Sequence, residues 1–163
     1  MAQEKSLQEL FVETLKDIYY AEKQILRALP KMARNAQSED LKNAFKTHQE
    51  QTEGQIERLE QVFEMVGKPA RGKMCPAIVG IVEEGKEIME DFAGSDALDA
   101  GLLSAAQAVE HYEISRYGTL KTWAGQLGLT DAVPLLEATL KEEKETDALL
   151  SRLAEQSVNQ KAA

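Results

Sequence analysis

The stretch Val109-Glu110-His111-Tyr112-Glu113-Ile114-Ser115-Arg116-Tyr117 contains a glutamate whose surroundings decide the fold. It belongs to a long segment in which apolar residues recur every three or four positions, the period of an α-helix. At about 100° per residue, Glu113 falls about 40° from Val109, near the middle of the apolar face. An unpaired charge buried there would cost several kcal/mol. We therefore expect another group inside the fold to face Glu113.

The length and composition limit the classes of protein to which this chain can belong. The chain has 163 residues, which fits a single domain, predicted over 1–163. It carries 28 acidic and 19 basic residues, and the basic ones are scattered among glutamates, which argues against nucleic-acid binding. Cys75 is the only cysteine, so an intramolecular disulfide or a thiolate metal cluster is excluded.

The N-terminal residues and the hydropathy of the chain predict where the protein resides. The first six residues are polar or charged apart from Met1 and Ala2, unlike a secretory signal. No run of residues approaches the roughly 20 apolar positions of a membrane span. A cytoplasmic protein without membrane association is the expectation.

The positions of the helix breakers predict long helices with few interruptions. Only 10 Gly and 4 Pro occur in the sequence. Ser38, followed by two acidic residues, suits a helix start, and Gly67 with Pro69 suits a helix stop. Ser95 and Asp96 are predicted to cap a later helix. Together with the apolar period, these signals predict four long helices and one shorter helix in the connection between the second and third of them, over about 5–36, 39–66, 76–92, 96–126 and 131–156.

Other helices also carry polar residues on their apolar faces. Glu22 lies at the centre of the face of the first helix, and Glu143 at that of the last. The second helix has His48, Thr52 and Gln55 where apolar residues are expected. We therefore expect the polar groups of several helices to meet in one interior site.

The two halves of the sequence show a weak internal repeat. An offset of 91 residues aligns the apolar positions of the first two helices with those of the last two, and it aligns Glu22 with Glu113 and Thr52 with Glu143. Two helical hairpins joined by a long crossover that contains a short fifth helix describe an all-α, ferritin-like four-helix bundle. Amphipathic helices also overlay by chance, and the low residue identity leaves that alternative open.

Ferritin-like bundles hold two metal ions between one Glu from each of two helices and a Glu-x-x-His motif from each of the other two. Glu22 and Glu113 occupy the two single-Glu positions, and Glu143 is the glutamate of the last motif. The other three positions, however, hold Thr52, Gln55 and Thr146, so that neither motif histidine is present.

Three further residues are candidates to complete this site. His48 lies one turn before Thr52 on the same face and is the candidate nitrogen ligand. Glu110 and Asp147, at the margins of their apolar faces, are candidates to bind metal or to orient other ligands. His111 points about 200° away from Val109 and is predicted to lie on the surface.

Several segments, taken in order along nearly the whole chain, carry a resemblance to a known family: Tyr20–Gln24, Arg27–Met32, Thr52–Glu60, Val109–Ile114 and Leu140–Lys144. On these segments the chain resembles the YciE/YciF family of ferritin-like bacterial stress proteins, and most closely its YciF branch. The resemblance implies a ferritin-like fold, homodimers and expression under stress. A protein partner in the stress response is a further expectation.

Two interpretations of the buried carboxylates follow. Glutamates that converge from three helices cannot all ionise unless a cation compensates them, and an oxygen-rich site suits Fe, Mn, Mg or Ca better than structural Zn. The first interpretation is a dinuclear iron or manganese site with Glu22, His48, Glu113, Glu143, Glu110 and Asp147 as the candidate ligands. In the second, Arg116 pairs with Glu113 and Glu143, and the protein is a non-catalytic dimer that binds partners.

The sequence leaves enzymatic activity undecided. Metal-dependent oxidation or peroxide handling is the chemistry that a site of this composition would support. The absence of both motif histidines argues against efficient activation of dioxygen.

Overall fold

The computed structural model describes residues 4–163, and in that range the chain is helical with no β-strand. The first hairpin consists of α1 and α2, a crossover carries α3, and the second hairpin consists of α4 and α5. A π-helical turn, Ala154–Val158, extends α5 into a last short helix, α6. The bounds of the helices are α1 Leu7–Asn35, α2 Glu39–Met65, α3 Pro76–Asp91, α4 Leu98–Gln126, α5 Ala132–Leu153 and α6 Asn159–Ala162.

The four long helices form a bundle around one core. Within each hairpin the two helices pack against each other, and the hairpins join through contacts of α1 with α4 and of α2 with α5. The short helix α3 packs against α1 and α4. This is the predicted all-α architecture of two hairpins and a crossover with a fifth helix. In the part of the chain described, no helix has the length and apolar character needed to cross a membrane.

Local sequence signals set the starts of α1 and α2, whereas α4 and α5 begin without a side-chain cap. Ser6 and Glu9 form a reciprocal capping box at the start of α1, and Ser38 caps α2 through its hydroxyl, as predicted. The predicted cap of α4 at Ser95 and Asp96 is wrong. The Ser95 hydroxyl accepts a hydrogen bond from the backbone N–H of Ala97 and forms a turn, so that α4 begins only at Leu98.

Close contacts hold the crossover against both hairpins. The backbone N–H of Lys73 donates to the carbonyl of Lys16 at 3.0 Å, which ties the loop before α3 to α1. A Cβ atom placed on Gly101 would lie 2.6 Å from Cγ2 of Ile88, so α3 approaches α4 more closely there than any larger residue would allow. These contacts place α3 over the groove between α1 and α4.

One buried side chain links the turn of the first hairpin to the second hairpin. The two carboxylate oxygens of Asp99, in the first turn of α4, accept hydrogen bonds from the backbone N–H groups of Gln37 and Ser38, each at 2.7 Å. Hydrogen bonds to a charged acceptor are stronger than neutral ones. Asp99 therefore fixes the α1–α2 turn against the start of α4.

Replacing this carboxylate should destabilise the bundle. We expect Asp99→Ala to lower the free energy of unfolding by about 2 kcal/mol, because two backbone donors lose a charged acceptor. Urea unfolding followed by circular dichroism measures the change. Asp96→Ala, at an exposed position in the same loop, is the matched control and should stay within about 0.5 kcal/mol of the unmodified protein. Equal stability of the two variants would contradict the linking role.

Candidate metal centre

Four buried side chains meet between the helices in the middle of the bundle. His48 comes from α2, Glu110 and Glu113 from successive turns of α4, and Glu143 from α5. One ligand atom from each lies within 4.8 Å of those from the others. The most exposed of the four, His48, is only 4% exposed. We call these four residues the core quartet.

Glu110 orients the imidazole of His48. Nδ1 of His48 lies 2.7 Å from a carboxylate oxygen of Glu110, whereas Nε2 lies 3.9 Å from the nearest oxygen of Glu113 and has no hydrogen-bond partner. With its proton on Nδ1, the ring donates to Glu110 and directs the lone pair of Nε2 toward Glu113. A carboxylate that fixes the tautomer in this way is the usual support of a metal-binding histidine.

Glu22, from α1, lies beside the core quartet. It is fully buried, and its carboxyl group lies within hydrogen-bonding reach of that of Glu113. The hydroxyl of Tyr117 donates to one oxygen of Glu22 at 2.6 Å, and the other oxygen has no partner. Burial and the neighbouring Glu22 raise the pKa of Tyr117, so this hydroxyl stays protonated and acts as a donor.

The three positions that hold ligands in related bundles serve other purposes in this chain. The Gln55 amide donates to Glu143, which orients that carboxylate. The hydroxyl of Thr52 donates to the backbone carbonyl of His48 at 2.7 Å, and that of Thr146 donates to Gln51 at 3.2 Å. Both threonine hydroxyls therefore donate to groups other than the carboxylates of the centre.

The buried site has more acceptors than donors. Among its ligand atoms, five carboxylate oxygens and one imidazole nitrogen are buried without a hydrogen-bond donor: Glu22 Oε2, Glu110 Oε2, Glu113 Oε1 and Oε2, Glu143 Oε2 and His48 Nε2. Buried polar atoms are normally satisfied, and several failures in one place point to a missing partner, which is either a proton shared between carboxyl groups or a cation. All six atoms are of the kinds that bind cations.

The electrostatics of the site show the same deficit of positive charge. Burial raises the pKa of Glu22 to about 7 and that of Glu110 to about 8, although hydrogen bonds with the Glu113 and Glu143 carboxyl groups, respectively, act to lower them. Burial, together with repulsion between the glutamates, also raises the pKa of Glu113 well above its ordinary value. The pKa of Glu143 is also raised well above its ordinary value, chiefly by burial. In the absence of a cation, the site therefore keeps protons at neutral pH.

Arg116 does not neutralise these carboxylates, and the interpretation that paired it with Glu113 and Glu143 is wrong. Its guanidinium lies over the ring of Tyr112, 5.2 Å from the ring centroid, at the edge of α4. Within residues 4–163, no lysine or arginine forms an ion pair with any of the four buried glutamates. His48 is thus the sole side chain in this range that could contribute positive charge to the core quartet.

Asp147 lies outside the core quartet. It lies on α5, four residues beyond Glu143, so its side chain is rotated by about 40° relative to that of Glu143 and faces the outer edge of α4. There its carboxylate lies 3.1 Å from Nε2 of His111 and 3.3 Å from the amide of Gln107. His111 is exposed, as predicted. Asp147 affects the site only at a distance, by raising the pKa of Glu110.

Two residues outside the predicted set of ligands complete the site. Gln55 and Tyr117 were absent from the candidate ligands, although both are buried and donate hydrogen bonds to site glutamates. The signal for Gln55 was its place at the missing histidine position of the motif. The signal for Tyr117 was its position four residues after Glu113, on the same helix face.

The geometry now defines the class of protein. A bundle of two helical hairpins with a long crossover, and with carboxylates and an imidazole directed into its interior, is a ferritin-like helical bundle. Residues 6–163 match the family described as Domain of unknown function (DUF892), and the chain belongs to this family. Similarity to YciF over nearly the whole chain confirms the predicted membership of the YciE/YciF group.

Relatives in this family match the chain over nearly its full length. Protein YciF of Escherichia coli is 48% identical over 159 residues, which cover 97% of this chain and 96% of YciF. The crystal structure of that stress protein superimposes with a TM-score of 0.91, at 46% identity over 96% of this chain and 99% of the other. YcfI of Rhodopseudomonas palustris gives a TM-score of 0.88 at 45% identity, over 93% of this chain and 97% of its own. A Xanthomonas campestris protein, at 22% identity and a TM-score of 0.75, shares the fold.

The raised pKa values predict how the metal-free protein responds to pH. A carboxyl whose pKa rises on folding stabilises the fold below about pH 4.5, and this stability is lost as the pH rises through its folded pKa. With EDTA present, we therefore expect the free energy of unfolding to fall between pH 5.5 and pH 8.5, by about 1.4 kcal/mol per pH unit for each proton retained. Urea unfolding at the two pH values measures this change.

Glu113→Gln tests whether the buried site causes this loss of stability with rising pH. Because it removes one titrating carboxyl, the variant should show a smaller loss of stability over the same pH range. Glu145→Gln, at an exposed position on α5, should leave the loss unchanged. A metal-free protein that is equally stable at both pH values would contradict the assignment of protons to the site.

Proposed function

We propose that this chain is a stress-response protein that binds iron or manganese at the core quartet, with Glu22 supporting a second ion. One observation carries the proposal. Six ligand atoms of the core quartet and Glu22 are buried without a hydrogen-bond partner, and no lysine or arginine in residues 4–163 forms an ion pair with these glutamates. A divalent cation supplies the charge that is missing and satisfies oxygen and nitrogen atoms together.

The donor set supports the choice of metal. Carboxylate oxygens with one imidazole suit iron and manganese, whereas structural zinc sites rely on thiolates or several histidines. The sole cysteine, Cys75, caps the start of α3, and its sulfur lies 3.0 Å from the hydroxyl of Tyr112, away from the site. Glu22, within reach of Glu113, offers the additional oxygens that a dinuclear site requires.

The residues around the ligands would prepare the site for an ion. Glu110 holds the imidazole of His48 in the tautomer that leaves Nε2 free, and Gln55 holds one oxygen of Glu143. Tyr117 does the same for Glu22. A bound iron or manganese ion would supply redox chemistry in a water-poor interior. The proposed biochemical activity is metal binding, and oxidation or peroxide handling would depend on it.

The cellular role is proposed from the relatives. The protein from Escherichia coli is described as a stress protein, and this chain aligns with it end to end. We extend that role to this protein, with the cytoplasm as its location and a protein partner in the stress response. A homodimer is the proposed assembly, because Met74, Val79 and Phe92 expose apolar side chains along the crossover.

Metal loading tests the proposed site directly. Protein unfolded and refolded in EDTA, then loaded anaerobically with iron(II) or with manganese(II) and desalted, should retain one to two ions per chain by elemental analysis. Glu113→Gln and Glu143→Gln should each lower retention at least tenfold, because each removes a buried carboxylate from the core quartet. Glu22→Gln should lose only the second ion. Loading should also release protons from the glutamates, measurable with a pH indicator.

The controls separate binding from folding. Glu145→Gln changes a solvent-facing carboxylate two residues from Glu143 and should retain the full complement of metal. Thermal melts should show stabilisation by metal of about 2.7 kcal/mol at 100 times the dissociation constant for the unmodified protein and for this control. Absence of stoichiometric metal in correctly folded, unmodified protein would overturn the proposal.

Light scattering coupled to size exclusion tests the assembly. The expected mass is twice the 18.1 kDa of one chain. Val79→Asp, which puts a charge at an exposed apolar position of α3, should shift the mass to that of one chain. Met65→Asp, at an exposed position at the end of α2, should leave it unchanged. A monomeric unmodified protein would contradict the homodimer.

A further inference from the structure

A cavity of about 240 Å³ lies under α3, and the two residues His48 and Glu110 form part of its inner wall. The cavity exists because the helices that face it carry small residues, among them Ala28, Ala44 and Ala105. It exceeds the roughly 150 Å³ of an engineered apolar cavity that binds benzene. We call it the α3 cavity.

The middle of the α3 cavity is apolar. Side chains from all five of the main helices line it, including Ile25, Phe45, Val82, Val109 and Leu150. A ligand body that contacts these walls must be hydrocarbon-like, because they offer dispersion contacts and no hydrogen bonds. Polar groups border the cavity at its two ends.

The outer end is positively charged. Arg27 and Lys31 from α1 and Lys86 from α3 line the cavity with exposed side chains. In residues 4–163 none of these three forms an ion pair, and no acidic residue other than the buried Glu110 lines the cavity. Three cations without an ion-pair partner are notable in a chain of net charge −9. This rim favours an anionic group on the ligand.

The inner end offers no free cation to an anionic group. Of the residues of the metal centre, only His48 and Glu110 line the cavity there, and they are already paired with each other. A negative head group at this end would be desolvated without a positive partner, whereas at the rim it would meet cations near solvent. The polarity of the cavity therefore fixes the orientation of an amphipathic ligand.

We propose that the α3 cavity binds an aliphatic carboxylate of medium chain length. The carboxylate pairs with Arg27, Lys31 and Lys86, and the alkyl chain lies against the apolar walls and ends near His48. The rim residues and the apolar wall residues are not proposed metal ligands, and only His48 and Glu110, on the inner wall, belong to both sites. Binding therefore goes beyond the proposed metal site, and its test does not depend on metal.

Calorimetric titration tests the proposal on the full-length, metal-free protein in EDTA. Decanoate, kept below its micelle concentration, should bind at one molecule per chain. Decyltrimethylammonium has the same chain with a cationic head, so it should bind at least tenfold more weakly. Equal binding of the two, or no saturable binding of decanoate, would overturn the proposal.

Variants at the two parts of the site sharpen the test. Arg27→Glu combined with Lys86→Glu should weaken decanoate binding at least tenfold, while Lys144→Glu, an exposed change away from the cavity, should not alter it. Val109→Phe fills the cavity and should abolish binding, with circular dichroism confirming the fold. The rim variants keep the test decisive if Val109→Phe misfolds. Unchanged affinity in the rim variant would refute the proposed head-group site.

Discussion

The interior of this bundle depends on the removal of water from four glutamates. Glu22, Glu113 and Glu143 are fully buried and Glu110 is 1% exposed, so their charges cannot be screened by solvent. Each carboxyl must therefore be protonated, accept a hydrogen bond or face a cation. Tyr117, Gln55 and His48 supply one partner each and no more. The raised pKa values, the unpartnered oxygen atoms and the proposed metal site all arise from this shortage.

Much of this arrangement could be predicted from the sequence, because helical periodicity fixes which side chains point inward. Glu22, Glu113 and Glu143 stand at the centre of apolar faces, and all three are buried. The same periodicity, with the 91-residue repeat, predicted the two hairpins and the crossover. It also identified His48, whose imidazole indeed lies among the glutamates. Periodicity worked for these residues because a long helix leaves the direction of a side chain little freedom.

Contacts between helices were harder to predict from the sequence, because they depend on rotamers and on the distance between helix axes. Arg116 lies close to the apolar face in sequence, yet its long side chain turns outward onto Tyr112. Asp147 differs from Glu143 by about 40° of rotation, which is enough to direct it to His111. The α3 cavity was equally hidden, since it arises from small residues on separate helices that only the packing brings together.

The core quartet draws its members from both hairpins, with His48 in α2 and Glu143 in α5. Neither hairpin alone holds more than three of the four residues, and Glu143 is the last of them along the chain. During synthesis, the growing chain therefore has no complete site until the final long helix has left the ribosome and docked. The capture of an ion in this interior would then report that the whole bundle has assembled, and a truncated chain would not retain one.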